Sequence, residues 1–162
     1  MPDPIINRPM HLAQINVARL THGPHDRRSA GFMHNLDTIN ALAERSTGFV
    51  WRLKDDSGNA TAIQGSDDPN LIINMSVWQD AESFERFVWQ TTHQKFYANR
   101  RKWFDAATQP HLAMWWIEPG LVPELQDGIL RLKSLRLNGP SEQVFGRENL
   151  PNVTMCKTAR CA

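Results

Sequence analysis

The stretch LIINMSVWQDAESFERFVWQTTHQKFYANRRKWF, residues 71–104, decides the fold because a strand pattern passes directly into a helix pattern. Alternation of side chains in its first eight residues is the period of a half-buried strand. The wholly apolar alternate positions are Leu71, Ile73, Met75 and Val77. The intervening positions, which mix polar and apolar groups as a pocket wall does, are Ile72, Asn74, Ser76 and Trp78.

The helix that follows is predicted to begin at Asp80, whose side chain suits the N-cap position. It carries aromatic and titratable groups at helical spacing on one stripe. The stripe comprises His93, Phe96, Arg100 and Trp103. Pro110 is predicted to break this helix.

The remaining patterns predict three more strands and two more helices. The strands are at residues 11–20, 49–53 and 111–117, and the helices are at 28–45 and 124–137. Gly48 is a predicted stop for the first helix, and residues 54–69 form a long polar connection. The order βαββαβ with one added helix predicts an α+β, ferredoxin-like fold. Residues 1–10 are an extended lead-in, 11–146 the domain and 147–162 a C-terminal tail.

The sheet is expected to leave one face open, because two helices cover one face of four strands. We expect those helices on the wholly apolar positions. The other face, with Trp51 or Arg52, Asn74, Ser76 and one of the paired tryptophans of 111–117, is still too apolar to remain in water. Packing two such sheets together predicts a homodimer with a barrel between the layers. A pocket then lies between sheet and helices, or within the barrel.

The composition of the chain limits the classes of binding partner that we expect. The chain of 162 residues has 18 Lys+Arg against 17 Asp+Glu, so no attraction to nucleic acid or an anionic membrane is implied. No apolar run approaches the roughly 20 residues of a membrane helix. No secretory signal is visible, and the two cysteines, Cys156 and Cys161, lie in the tail. We expect a soluble cytoplasmic protein.

Several segments in order carry a resemblance to a known family. They are HLAQINVARL, NLDTINALAERSTGFVWRL, the SVW-x-D-x-ESFERFV stretch with His93 and the RRKWF ending, and HLAMWWI. Over about residues 10–146 they resemble a bacterial domain-of-unknown-function family, DUF3291, of the dimeric α+β-barrel superfamily. That superfamily includes cofactor-free monooxygenases acting on aromatic polyketides, cyclases and haem proteins. The resemblance implies the dimeric barrel fold, and the strand-helix segment is distantly similar to antibiotic-biosynthesis monooxygenases.

His93 is the leading catalytic candidate, since the pKa of an ordinary histidine suits general acid or base chemistry. It could instead ligate a haem iron or pack in the core. Asn16 and Asn74 are the other catalytic candidates, because an amide on the mixed face can hold an oxyanion. The alternative for both is a polar pair inside a dimer seam.

Substrate-binding candidates are aromatic rings that can stack on a flat ligand and polar groups that can anchor it. They are Gln14, Trp51, Arg52, Phe96, Arg100, Trp103 and Trp116. Trp51, Trp115 and Trp116 are expected on neighbouring or nearby strands, with plain core packing as the alternative. A metal site from His11, His93 and His111 has no supporting spacing, so no metal is predicted.

These features predict a small enzyme acting on an apolar aromatic or conjugated substrate. The chemistry is His-assisted acid/base catalysis, as a cofactor-free monooxygenase or a cyclase/isomerase. The alternatives are a haem enzyme with His93 as axial ligand and a non-catalytic ligand-binding dimer. No phosphate loop, zinc-protease motif or nucleophile elbow is present.

Overall fold

Four strands and four helices are present in the computed structural model, which describes residues 9–54, 68–92 and 100–150. The strands are β1 (His11–Arg19), β2 (Phe49–Arg52), β3 (Leu71–Trp78) and β4 (Leu112–Ile117). The helices are α1 (Ala30–Arg45), α2 (Ala81–Thr92), α3 (Arg100–Trp103) and α4 (Leu125–Asn138). The βαββαβ arrangement with an added C-terminal helix is therefore confirmed.

The strands form one antiparallel sheet in the order β2-β3-β1-β4. This order is the ferredoxin-like one, with β1 and β3 in the centre. Leu12 lies opposite Trp78 on β3 and opposite Trp116 on β4, which sets the register of the whole sheet. Because side chains alternate along every strand, this register assigns each residue to one of two faces.

The wholly apolar face is covered by α4, which corrects the expectation that the first two helices would cover it. One continuous buried cluster joins the sheet to Leu132 and Leu135 of α4. Its sheet members are Ala13, Ile15, Val17, Ile73, Met75, Val77, Ala113 and Trp115. Gly128 brings α4 close to the strands, since a Cβ there would lie 2.8 Å from the sulfur of Met75.

Helices α1 and α2 cover the mixed face instead. Ala43 of α1 and Phe84 of α2 pack on Leu12, Trp78 and Met114. Near the other end of the strands, Phe32 of α1 and Trp103 of α3 pack on Leu20. Both faces of the sheet are thus packed by helices of the same chain, so the open face from which a homodimer was predicted is not present. The homodimer itself stays a prediction.

The helix after β3 begins as predicted and ends earlier than predicted. The Asp80 carboxylate accepts a hydrogen bond from the Ser83 amide at 2.7 Å, which confirms the N-cap. Helix α3 ends at Trp103 rather than near Pro110. The Trp103 carbonyl accepts from the Thr21 amide at 2.8 Å, and Phe104 forms a bridge with Leu20. Pairing with the end of β1 therefore stops the helix before the proline can.

The chain after α4 returns to the sheet. Phe145 exchanges two backbone hydrogen bonds of 2.9 Å with Met114, and Leu150 is buried. Between them, Arg147–Asn149 forms a short 3-10 helix. The predicted start of a tail at residue 147 therefore falls inside a packed segment. No helix within the described ranges is long and apolar enough to cross a membrane.

Candidate ligand-binding site

Polar side chains form two adjacent rows across the middle of the mixed face. Arg52, Ser76 and Gln14 are cross-strand partners on β2, β3 and β1. One step along the same face, Asn74 pairs with Asn16. We call the four uncharged residues, Gln14, Asn16, Ser76 and Asn74, the polar layer, and Arg52 lies beside it on β2. The structure thus brings together both predicted catalytic asparagines and two predicted binding residues, Gln14 and Arg52.

The polar layer separates two apolar clusters on its face. Leu12 and Trp78 belong to one cluster, and Leu20 and Ile72 belong to or pack against the other. The opposite face has one uninterrupted cluster. A polar band between apolar walls, beneath helices, is the arrangement expected of a ligand site and not of a plain core.

Aromatic rings dominate both walls. Phe87 stacks on Trp78 with ring centroids 5.1 Å apart, and Phe49 meets Trp78 edge-on at 5.5 Å. In the second wall, Phe32 meets Phe104 edge-on at 4.9 Å. Trp103, a predicted binding residue, lies 7% exposed in this second wall.

Helix α1 adds a polar residue above the layer that sequence reasoning missed. Asn40 is buried, and it lies one turn after Leu36 and one turn before Ala43. Those neighbours pack on the two different walls, so Asn40 occupies the gap between them. A buried asparagine inside an otherwise apolar stripe was the available signal.

Gln14 is the centre of the hydrogen bonding. Its Nε2 donates to Asn74 Oδ1 at 2.8 Å and to Ser76 Oγ at 2.7 Å. Ser76 Oγ also accepts from Trp78 Nε1 at 2.9 Å. Gln14 Oε1 is buried and has no hydrogen-bond partner among the described residues. A buried acceptor without a donor costs about 1–3 kcal/mol of folding free energy, and the fold tolerates this cost at Gln14.

Exposure rises along the layer. Gln14 and Ser76 are 3% and 5% exposed, Asn16 is half-buried and Asn74 is exposed. Asn74 lies in the central strand β3. Helices pack on the same face of the sheet on both sides of Asn74. Solvent therefore reaches the sheet between the two walls at Asn74.

The charge beside the layer is neutralised. Arg52 Nε is 2.8 Å from Glu44 Oε1 on α1, and the Arg52 side chain is 9% exposed. A largely buried guanidinium held by a carboxylate leaves the layer without a net charge to attract an anion. The groups that the layer offers a ligand are neutral amides and a hydroxyl.

Two predicted binding tryptophans lie elsewhere. Trp51 pairs with Val77 and faces the α4 side, so it is on the opposite face from the polar layer. Trp116 lies at the β4 edge beside Phe145, with ring centroids 5.9 Å apart. The expectation that Trp51, Trp115 and Trp116 come from neighbouring or nearby strands is wrong, because β2 and β4 are opposite edges of the sheet.

Trp116 lines a shallow cleft of about 430 Å³. The other lining residues are Pro140, Ser141, Glu142, Phe145 and Asn149. The Leu12, Trp78 and Met114 cluster lies between this cleft and the polar layer. The cleft is therefore not part of the same site.

Three predicted residues cannot be placed in the site. His93 and Phe96 lie outside the described residues, and of Arg100 only the helical backbone is described. The roles proposed for them stay predictions. Within the ranges that are described, no group of three or more His, Cys, Asp or Glu side chains is arranged to hold a metal ion.

The fold and the polar layer define a ferredoxin-like α+β protein with a candidate small-molecule site between sheet and helices. A family model described as a domain of unknown function (DUF3291) matches residues 11–159. The chain belongs to this family, which confirms the resemblance and carries the match beyond the predicted end at 146. No curated protein matches the chain significantly.

Several solved structures are similar in shape at low identity. SnoaB from Streptomyces nogalater, a cofactor-independent oxygenase, is 19% identical, with a TM-score of 0.45, over 71% of this chain and 99% of that one. PA3566 from Pseudomonas aeruginosa is 13% identical, with a TM-score of 0.44, over 69% and 96%. NE2512 from Nitrosomonas europaea, a protein of unknown function, is 14% identical, with a TM-score of 0.45, over 72% and 97%. At this level of similarity their activities say nothing about this chain.

Proposed function

We propose that this chain is a small enzyme that acts on an apolar aromatic or conjugated molecule by His-assisted acid/base chemistry. The reaction is that of a cofactor-free monooxygenase or a cyclase/isomerase. The observation that carries the proposal is the neutral polar layer between two aromatic walls, open to solvent at Asn74. A flat ligand fits walls built from rings, because stacking provides contact area with little loss of side-chain entropy.

The polar layer supplies the chemistry of an oxyanion site. Removal of a proton from the carbon next to a ring ketone, or from the hydroxyl group of a phenol, places negative charge on the oxygen, and amide N–H groups of Asn16 and Asn74 stabilise that charge. His93 is the proposed base. A flat ligand seated between the walls displaces the water at Asn74, which strengthens these hydrogen bonds during the reaction.

The monooxygenase reaction balances without a bound cofactor. His93 takes one proton from a ring CH₂, and the carbanion adds to O₂ to give a hydroperoxide after protonation. Loss of water then converts that carbon to a ketone, so CH₂ and O₂ become C=O and H₂O. Without O₂, the same carbanion supports ring closure or isomerisation. We further propose that the enzyme is a homodimer in the cytoplasm.

Oxygen uptake tests this function. Purified protein is mixed with flat compounds that carry an acidic C–H beside a ring ketone, with anthrone as the simplest. We expect uptake with the wild-type chain and a loss of about 10²-fold in turnover in Asn74→Ala, since one oxyanion donor is worth that much. Gln126→Ala on the exposed side of α4 is the matched control. His93→Ala tests the proposed base, and it should abolish turnover while the protein stays folded.

The alternative reactions give different results in the same samples. Equal uptake in wild type and Asn74→Ala would show that the polar layer is not the site. A sharp Soret band on adding haem that is absent in His93→Ala would favour the haem alternative. Binding of aromatics without any turnover would leave a ligand-binding protein.

A further inference from the structure

Asn74 can present either end of its amide to a ligand, and the buried neighbours decide which. Its Oδ1 accepts from Gln14 Nε2 at 2.8 Å. Because the oxygen and nitrogen of an amide diverge from one carbon, Asn74 Nδ2 lies on the side away from Gln14. Asn74 is the exposed member of the polar layer, so its two N–H donors are the groups offered to a ligand.

Gln14 is itself held in place by a chain of buried donors. The indole N–H of Trp78 can only donate, and it donates to Ser76 Oγ at 2.9 Å. Ser76 Oγ and Asn74 Oδ1 both accept from Gln14 Nε2. Trp78 and Ser76 are almost fully buried, so this chain of contacts is shielded from competing water.

This arrangement costs stability. Gln14 is 3% exposed, and no donor to its Oε1 lies within the part of the chain that the structure describes. An apolar side chain of similar length would avoid that loss, while Ser76 would keep its bond from Trp78 and the exposed Asn74 would be hydrated. A buried amide that destabilises the fold and orients one exposed amide is typical of a residue retained for function.

We propose that Gln14 is a positioning residue that turns the Asn74 amide so that the site binds the hydrogen-bond acceptor end of its ligand, a ring ketone, phenolate or enolate oxygen. This inference rests on the proposed function and assigns the polarity of the same site. The site should therefore hold the anionic form of a phenol more tightly than the neutral form, since a hydrogen bond to a charged acceptor is the stronger one.

The test uses 4-nitro-1-naphthol, whose anion absorbs in the visible while the neutral form does not. Titration of the bound compound with wild-type protein should give a pKa about one unit below that of the free compound, the difference between a charged and a neutral hydrogen bond. In Gln14→Met the pKa of the bound compound should return to the free value. Arg52 and Glu44, the charged pair beside the layer, are unchanged in both proteins.

Thermal unfolding separates positioning from a structural role. Gln14→Met should unfold at the same temperature as the wild type or higher, because it removes the unpaired acceptor. Gln14→Leu provides the same test if methionine packs poorly. Met75→Leu is the matched control, since Met75 is a buried methionine on the opposite face of the sheet, outside the site. It should leave the pKa of the bound compound shifted.

The titration and unfolding results each support or contradict the positioning role of Gln14. An unchanged shift in Gln14→Met and Gln14→Leu would overturn it, as would binding to the wild type with no shift at all. In the latter case an aromatic site, and with it the proposed function, would still stand. If the compound does not bind the wild-type protein, both the inference and the proposed function fail.

Discussion

Ion pairs in this chain differ greatly in how much they contribute to the stability of the fold. Glu85 on α2 is 1% exposed, and Arg147 contacts both of its carboxylate oxygens at 3.2 Å. One turn away on the surface, Glu82 and Arg86 form an ion pair with side chains 76% and 45% exposed. Burial makes the first pair the attachment point of the C-terminal segment. The second is the kind of pair that contributes little.

We therefore expect Arg147→Met to lower the free energy of unfolding by about 3 kcal/mol, because it leaves a buried carboxylate without its partner. Urea unfolding measures this change. Arg86→Met is the matched control, with an expected loss below about 0.5 kcal/mol. Equal small losses in both variants would show that the segment from Gly146 to Leu150 does not depend on Glu85.

The mixed-face residues were identified from sequence because they follow a simple alternation. Gln14 and Asn16 on β1, with Asn74 and Ser76 on β3, are polar at every second position, and the structure places all four side by side. Asn40 was missed because it stands within an apolar helical stripe. The hydrogen bonds of Gln14 could not be predicted, since they depend on the register between strands that are 60 residues apart in sequence.

At the scale of elements, the position of α4 is the main departure from expectation. A helix alone on a sheet needs a small residue where it comes closest. On α4 that residue is Gly128, for which a Cβ would lie 2.8 Å from Met75 Sδ and 3.1 Å from Ile15 Cδ1. The glycine costs helix propensity, so its presence indicates that close packing matters more here.

Gly128→Val should lower stability by about 2 kcal/mol, because the larger side chain forces α4 away from the strands. The unfolding midpoint in urea measures the loss. Lys133→Val places the same side chain on the exposed side of the same helix, and it should cost much less. If the two variants are equally stable, α4 does not pack on the sheet through Gly128.

The loop after α1 shows an element boundary that was readable from sequence. Gly48 has a positive φ of 86°, and any Cβ there would overlap the Ser83 side chain of α2. The end of α1 near residue 45 is as predicted, but Ser46 is already extended, so the helix stops before Gly48. Gly48 instead lies in the turn closed by the hydrogen bond from the Phe49 amide to the Ser46 carbonyl at 3.1 Å, where α2 leaves no room for a side chain.

At the scale of the whole molecule, one surface network joins three parts of the chain. Arg19 at the end of β1 contacts Asp68 at 2.8 Å and Asp105 at 2.7 Å. These carboxylates lie just before β3 and just after α3. The Asn70 backbone amide, with help from Arg19, lowers the pKa of Asp68. Hydrogen bonds from Arg19 and Thr21 lower the pKa of Asp105.

A lowered pKa in the folded state fixes the sign of the pH dependence. Asp68 and Asp105 contribute stability in full above their ordinary pKa of 3.8, and the contribution is lost as the pH falls through the lower, folded-state values. We expect the urea midpoint to be steady near neutral pH and to fall in acid below that value. Asp105→Asn should be less stable than wild type at neutral pH, with the difference vanishing in strong acid. A difference that is the same at every pH, or one matched by the exposed Glu118→Gln, would contradict this account.

The element order, the α+β class, the two faces of each strand and the polar positions on one of them could be read from the amino-acid sequence. These follow from local periodicity, which each segment carries within itself. Which helices cover which face, and the placement of Trp51 and Trp116 at opposite edges of the sheet, became clear from the fold. Alternation separates two faces of a strand without specifying what packs on either. That packing depends on strand order, on register and on α4, which covers the more apolar face.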